Sequence, residues 1–205
     1  MYSPPYNDPQ NRLEIVEFMQ ANNFPVLVTG TGGVLHASHL PVTVHDDGRQ
    51  LVIDMHMAKN NPQWKEFLDD EALVVFSGPH AYVSPRWYEE KERVPTWNYA
   101  AVHAYGVPKV HAVREVKAGS QRRLIESLDP QWLPKHDALP PEYVARMLDG
   151  IVNFSIAVTR LEARWKLSQN RGRREMELIA AELDKSADSS ARALAALHRK
   201  HLVEK

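Results

Sequence analysis

The stretch Phe154-Ser155-Ile156-Ala157-Val158-Thr159-Arg160-Leu161-Glu162-Ala163-Arg164-Trp165-Lys166-Leu167 alternates its side chains along most of its length. Phe154, Ile156 and Val158 fall on one face and Ser155, Ala157 and Thr159 on the other; further on, Ala163, Trp165 and Leu167 oppose Arg164, Lys166 and Ser168. A period of two belongs to a β-strand, and it predicts strand over this segment. Upstream, Phe24 to Thr29 is a short apolar run halted by Gly30-Thr31-Gly32-Gly33. That run, the segment Val34 to Val44, the Asp46-Asp47-Gly48 turn and Leu51 to Met57 read as successive strands of an antiparallel meander. Ala72 to Phe76 reads as another buried strand, and Ala100 to Ala112 as a long one bent at Gly106-Val107-Pro108, since proline cannot donate to a ladder. Two proline-bearing aromatic loops, Gly78 to Tyr88 and Val94 to Tyr99, lie between them.

Helical periodicity appears elsewhere. Asp8-Pro9 supplies an N-cap and a preset first turn for a helix carrying Leu13, Val16 and Met19, ended by Asn22-Asn23. Asn61-Pro62 caps a short helix through Leu68. Val116 to Leu128 and Pro141 to Leu148 follow, and from Arg173 onward two helical runs flank Asp184 to Ser190, the last carrying Leu194, Leu197 and Leu202. Many antiparallel strands with short turns and peripheral helices give an α+β class and a small barrel.

Composition narrows the function classes. Across 205 residues, 25 Lys+Arg stand against 26 Asp+Glu for a net charge of -1, so the whole-protein field does not favour nucleic acid or anionic membrane. The absence of cysteine excludes disulfides, thiolate metal sites and thiol nucleophiles. No apolar run reaches the length of a membrane span, and Met1-Tyr2-Ser3-Pro4-Pro5-Tyr6 lacks the features of a signal peptide, so a cytoplasmic protein is expected.

Three polar clusters stand out as candidate binding residues. In Lys166-Leu167-Ser168-Gln169-Asn170, an extended chain aims Lys166, Ser168 and Asn170 to one side, so that a cation, a hydroxyl and an amide converge on a phosphate or a flavin edge. A solvated strand end is the plainer reading of the same residues. In Val94-Pro95-Thr96-Trp97-Asn98-Tyr99, Thr96 and Asn98 offer polar handles on one face while Trp97 and Tyr99 offer rings on the other, for packing or for stacking. Tyr82, Trp87 and Tyr88 carry the same two readings. In His56-Met57-Ala58-Lys59-Asn60-Asn61-Pro62, His56, Lys59 and Asn61 lie where a strand hands over to a helix whose first N–H groups favour an anion. No metal site is expected: His36 and His39, three apart on a strand, point to opposite faces. His198 and His201 share a helix face that reads as solvated surface.

These clusters carry a resemblance that extends over nearly the whole chain. It runs through Pro4-Pro5, Ser38-His39-Leu40-Pro41, His56 to Pro62 with Trp64, Phe76 to Pro85, Trp87-Tyr88, Val94 to Tyr99, Val102-His103, Tyr105-Gly106, Ile151-Val152 and Lys166 to Asn170. In these motifs and their order the chain resembles the PaiB family, the FMN-binding negative transcriptional regulators. The resemblance implies an antiparallel split β-barrel, similar to pyridoxamine-phosphate oxidase, in which a homodimer holds FMN at the subunit interface. Residues 1–183 would form that FMN-binding domain and 184–205 a helical C-terminal extension. His39, His56, Lys59, Asn61, Thr96, Trp97, Asn98, Lys166, Ser168, Gln169 and Asn170 are then the candidate cofactor contacts. Two positions depart from the family pattern: Lys59 stands where arginine is usual, which replaces a bidentate phosphate fork by a point charge, and Asn60 stands where a small residue is usual.

The regulatory role implied by the family has no DNA-reading motif beside it, because no helix-turn-helix signature is present and basic residues are spread rather than striped. DNA control, direct or indirect, is one reading. A flavin- or haem-dependent oxidoreductase is the alternative; haem would need an axial ligand, and ten histidines leave that open. No catalytic residue is assigned by spacing. His39, His56 and Trp97 are the residues a turnover assay would test first.

Overall fold

The computed structural model describes residues 1–9, 11–67, 70–89 and 92–203, the side chain of Val203 excepted. Nine strands form two open sheets: β1 (Val26–Thr31), β2 (Val34–His39), β5 (Ala72–Val83), β6 (Thr96–Gly106) and β9 (Arg160–Lys166) in the order β2-β1-β5-β6-β9, and β3 (Val42–Asp46), β4 (Leu51–Ala58), β7 (Pro108–His111) and β8 (Ile151–Ala157) in the order β3-β4-β8-β7. With helices α1 (Arg12–Ala21), α2 (Arg114–Leu128), α3 (Leu133–Asp137), α4 (Pro141–Asp149), α5 (Arg173–Asp184) and α6 (Ser189–Val203), this is the expected α+β class with the open antiparallel sheets of a split barrel.

The chain divides into two compact units. One holds Val16–Phe76 and His103–Leu161; the other holds Met1–Ile15, Ser77–Val102 and Glu162–Lys205. In the first, register places Ile53 opposite Ile156 and Met55 opposite Phe154, so these four buried apolar side chains form the centre of the four-stranded sheet. In the second, α5 buries Met176, Ile179, Ala180 and Leu183, and α6 buries Ala191, Leu194, Ala195, His198 and Leu202. Both sets follow the three-and-four spacing of an amphipathic helix.

Three runs that read as single strands are each two strands in different sheets. Val34 to Val44 breaks at Leu40-Pro41, where Leu40 N–H donates to Pro25 and Val42 N–H to Asn23, giving β2 and β3. Ala100 to Ala112 is interrupted at Val107, leaving β6 in one sheet and β7 in the other. Phe154 to Leu167 breaks at Val158-Thr159, whose N–H groups donate to Leu51 and Tyr105. Bends of this kind are how strands change sheets at barrel corners, and alternation continues through them. Both proline-bearing loops are likewise largely strand: β5 extends to Val83, leaving only a 3-10 turn at Pro85–Trp87, and β6 begins at Thr96.

Local capping also differs from the expectation. Asn11, not Asp8, caps α1, its Oδ1 accepting from the N–H groups of Leu13 at 3.0 Å and Glu14 at 3.4 Å. Asn61 does cap the segment after β4, accepting from Gln63 N–H at 3.0 Å, but that segment is a 3-10 helix over Pro62–Glu66; Leu68 lies outside the described residues. The 3-10 turn Pro130–Trp132 and α3 lie where no element was expected.

Gly106 marks the tightest backbone approach. A Cβ there would lie 2.7 Å from Ile156 Cγ2 and closer still to the carbonyl oxygen of Ala157. Gly106→Ala is therefore expected to destabilise the fold by about 1–3 kcal/mol, the usual cost of forced overpacking. Urea unfolding of wild type and variant measures it, with Gly32→Ala, which meets no neighbour within 4 Å but has φ +60°, as a backbone-strain comparison.

Candidate functional site

The two polar stretches read from the sequence face one another in the second unit. Val94, Pro95 and Thr96 on one side and Arg164, Lys166, Ser168, Asn170 and Arg171 on the other line a cavity of about 150 Å³, closed by Tyr6 and Asn7. Lys166 Nζ donates to Thr96 Oγ1 at 2.6 Å. Arg164 lies over the rings of Tyr2 and Tyr99, each 5.4 Å from its Cζ, and Arg171 lies 5.6 Å from the centre of the Tyr88 ring. None of these three cations has a carboxylate partner among the described residues. Partial burial, and then the charge of Arg164, hold the Lys166 pKa below that of an ordinary lysine. Asn7 is only 3 % exposed, yet its Oδ1 is buried without a hydrogen-bond partner.

Lys166, Ser168 and Asn170 thus converge, although not by strand alternation. Strand β9 ends at Lys166, and Ser168 adopts a left-handed backbone with φ 61°. For a residue with a side chain that conformation is unfavourable and must be held by its surroundings. Here Asn98 Nδ2 donates to Ser168 Oγ at 2.9 Å, while Ser168 Oγ lies 3.2 Å from Asn98 Oδ1. Asn98 and Ser168 are both buried, so their polar groups bind each other first. Gln169 folds back onto its own turn, accepting from Leu167 N–H at 2.7 Å and donating to the Trp165 carbonyl, and it lines a different cavity. Trp97 points to the opposite face of β6 from Thr96 and is 49 % exposed.

The same buried cluster includes His198, and here the surface expectation is wrong. His198 is 0 % exposed, and its Nε2 lies 3.1 Å from Asn98 Nδ2, while its Nδ1 has no partner. Desolvation, with a smaller contribution from His201, lowers its pKa from 6.5 to about 4, so the ring is neutral at physiological pH. The signal was present in the sequence: His198 continues the buried stripe of Ala191, Leu194 and Ala195 by one turn. Arg164 was legible too, on the polar face of its strand, whereas nothing near Asn7 marked it.

The remaining candidates lie in the first unit. Asn61 Nδ2 donates to Ser38 Oγ at 2.9 Å, tying the capped turn to β2. Lys59 is exposed, its N–H donating to Gly150 and its carbonyl accepting from Trp64 Nε1 at 2.9 Å, so that the backbone around it is fixed. His56 on β4 is half-buried, and desolvation lowers its pKa. His39, at the end of β2, is exposed with its ring 6.0 Å from that of Phe24.

A cationic, hydroxyl-rich cavity of this size suits a phosphate and not a whole cofactor, since drug-sized ligands occupy roughly 300–1,000 Å³. Residues 1–160 match the family model described as "Putative FMN-binding domain". The chain is also 37% identical over 204 residues, 96% of both chains, to the Protease synthase and sporulation protein PAI 2 of Bacillus subtilis strain 168. The chain belongs to the PaiB-type FMN-binding family. Solved structures with the same fold include the flavocytochrome Anf3 of Azotobacter vinelandii, with a TM-score of 0.60 at 15% identity over 78% of this chain and 69% of that one. A second is the FAD and haem binding protein of Mycobacterium smegmatis, with a TM-score of 0.58 at 14% identity over 78% of this chain and 73% of that one. The donor set fits the FMN of this family: three cations with no carboxylate partner among the described residues and the Thr96 hydroxyl suit a phosphate, and the orphaned Asn7 oxygen suits a donor such as a sugar hydroxyl.

The buried imidazole yields a test of the cluster. Unfolded, His198 takes up a proton near 6.5; folded, near about 4. Between those values the unfolded chain binds the extra proton, so stability is full above the upper value and falls as pH drops through the window. The loss approaches roughly 3 kcal/mol at its acid end. Denaturant unfolding at a series of pH values should show this slope in wild type and a shallower one in His198→Gln.

Proposed function

We propose that the chain is a homodimeric cytoplasmic FMN protein that influences gene expression without reading DNA sequence itself. The observation that carries the flavin part is the cluster of Arg164, Lys166 and Arg171, without carboxylate partners among the described residues, around Thr96, Ser168 and Asn170. Lys166, Thr96 and Asn170 would hold the phosphate end of FMN, with Ser168 fixing the turn that brings Asn170 back beside Lys166. When bound, FMN supplies hydride or single-electron transfer at its ring system. The family resemblance points in addition to His39 and Lys59, and the strand-to-helix pattern to His56 and Asn61, with residues 1–183 proposed to carry the cofactor and 184–205 to add a helix.

The regulatory part rests on kinship with the Bacillus subtilis protein, whose name links it to protease synthesis and sporulation. Indirect action is favoured because the basic residues of α6 are already engaged. Arg199 pairs with Asp184, Lys200 with Glu14 at 3.0 Å, and Arg192 donates to the carbonyls of Ser186 and Ala187 at 2.7 and 2.9 Å. A recognition helix needs such side chains free for phosphates and base edges.

Flavin titration with mass measurement in solution tests the first part; a strict monomer that ignores FMN refutes it. Lys166→Ala should weaken FMN binding by about 1–3 kcal/mol, the worth of a charge-assisted hydrogen bond, while leaving apo-protein stability near wild type. Because its pKa is lowered, wild-type affinity should also decline with rising pH sooner than an ordinary lysine would allow, and Lys166→Arg should remove that decline. For the second part, DNA titrations at physiological salt should show weak, salt-sensitive binding that does not distinguish promoter from scrambled fragments. Tight, sequence-selective binding would establish direct repression, and flavin reduction by a nicotinamide donor would favour the oxidoreductase reading.

A further inference from the structure

On the opposite face of β6 from the cationic cup lies a larger cavity, of about 480 Å³, in the same unit. One wall is aromatic: His80, Tyr82, Trp87 and Trp97. The other is the end of α5 and the turn joining it to α6, which present Glu182, Lys185 and Asp188. The walls are tied together by Ser190, whose Oγ accepts from His80 N–H and donates to His80 C=O, both at 2.9 Å. Asp188 Oδ1 accepts from Ser190 N–H at 2.9 Å, and Arg192 clamps the carbonyls of Ser186 and Ala187, so the turn is fixed before any ligand arrives.

The ring geometry selects among ligands. His80 and Trp97 lie 5.9 Å apart at 28°, already a stacked pair, so no aromatic plate can enter between them. Tyr82 meets Trp97 at 6.3 Å and 66°, so their ring planes form two steeply inclined walls. Tyr82 is 48 % exposed and Trp97 49 %, and the cavity between these half-bare rings suits a compact, rounded group. Charge selects further. Two carboxylates face one ammonium in the lining, a formal sum of -1, and Lys185 is neutralised by Glu182 at 2.6 Å, which leaves the Asp188 charge uncompensated within the lining. An anion would meet Asp188 and ring faces that carry negative potential; a neutral apolar ligand would bury against the rings but gain nothing from Asp188.

We infer that this cavity binds a small organic cation with a methylated ammonium head, held against the faces of Trp97 and Tyr82 and balanced by Asp188. Aromatic cages with a nearby carboxylate recognise such heads through the ring quadrupole, which attracts a weakly hydrated cation more strongly than its neutral isostere. The site is independent of the flavin reading, because Thr96 and Trp97 project to opposite faces of one strand.

Choline and tetramethylammonium serve as probes, titrated into the full chain and followed by calorimetry and tryptophan fluorescence. Both should bind, and the neutral carbon analogue of choline, with a tert-butyl group in place of the trimethylammonium, should bind at least about tenfold more weakly. Trp97→Ala and Tyr82→Ala should each lower choline affinity about tenfold, while Trp97→Phe retains most of it. Removing the competing cation in Lys185→Ala, an exposed position, should strengthen binding a few-fold. Lys166→Ala should leave choline affinity unchanged, and Tyr82→Ala should leave FMN affinity unchanged. The inference is overturned by equal binding of the neutral analogue, by weaker binding in Lys185→Ala, by competition between FMN and choline, or by no ammonium binding at millimolar concentrations.

Discussion

The pairing of Asn98 with Ser168 is the constraint on which this half of the molecule depends. An amide at 0 % exposure in the middle of a strand carries a large desolvation cost unless its donors and acceptor are used. Asn98 uses them to join three elements: β6 itself, the turn after β9 through Ser168, and α6 through His198. The left-handed backbone at Ser168 is sustained by that bond, and it turns the chain so that Asn170 and Arg171 come back beside Lys166. Fold and candidate site are coupled here through two hydrogen bonds, which gives Asn98 a positioning role.

Much of the fold was legible because strand periodicity survives almost everywhere it was read. It misled in one systematic way. A bend that moves a strand from one sheet to another preserves the alternation on both sides, so Val34 to Val44 and Phe154 to Leu167 each looked like one strand. Periodicity reports which face is apolar, not which partner the backbone pairs with. Pro41 and Pro108 were the available clues, since a residue without an N–H interrupts a ladder. At Val158-Thr159 there is no such punctuation, and only the long-range bonds to Leu51 and Tyr105 reveal the break.

The candidate site was legible in its composition more than in its geometry. Thr96 and Trp97 do part to opposite faces, as a period of two requires, and each lines a separate cavity. Gln169, equally polar on paper, spends both ends of its amide on its own turn. His198 was hidden by charge: Arg199, Lys200 and His201 make the segment read as surface, yet it stands on the buried stripe of α6. In a helix, the angular position of a residue outweighs the character of its sequence neighbours.

Net charge said nothing about either cavity, because a sum near zero is compatible with strong local imbalance. Several surface cations here are matched, as Arg160 is to Glu71 at 2.8 Å and Arg123 to Asp54 at 2.7 Å. Arg164, Lys166 and Arg171 are not matched among the described residues, and burial, with a further contribution from the charge of Arg164, lowers the lysine pKa. Exposed pairs contribute little to stability, so what distinguishes these three is that they gather around one cavity. Unmatched cations around a partly dehydrated cup raise the free energy of the empty state. A dianion removes that repulsion and satisfies the donors at once, whereas in a cup already lined with carboxylates the same ligand would have to displace an existing partner.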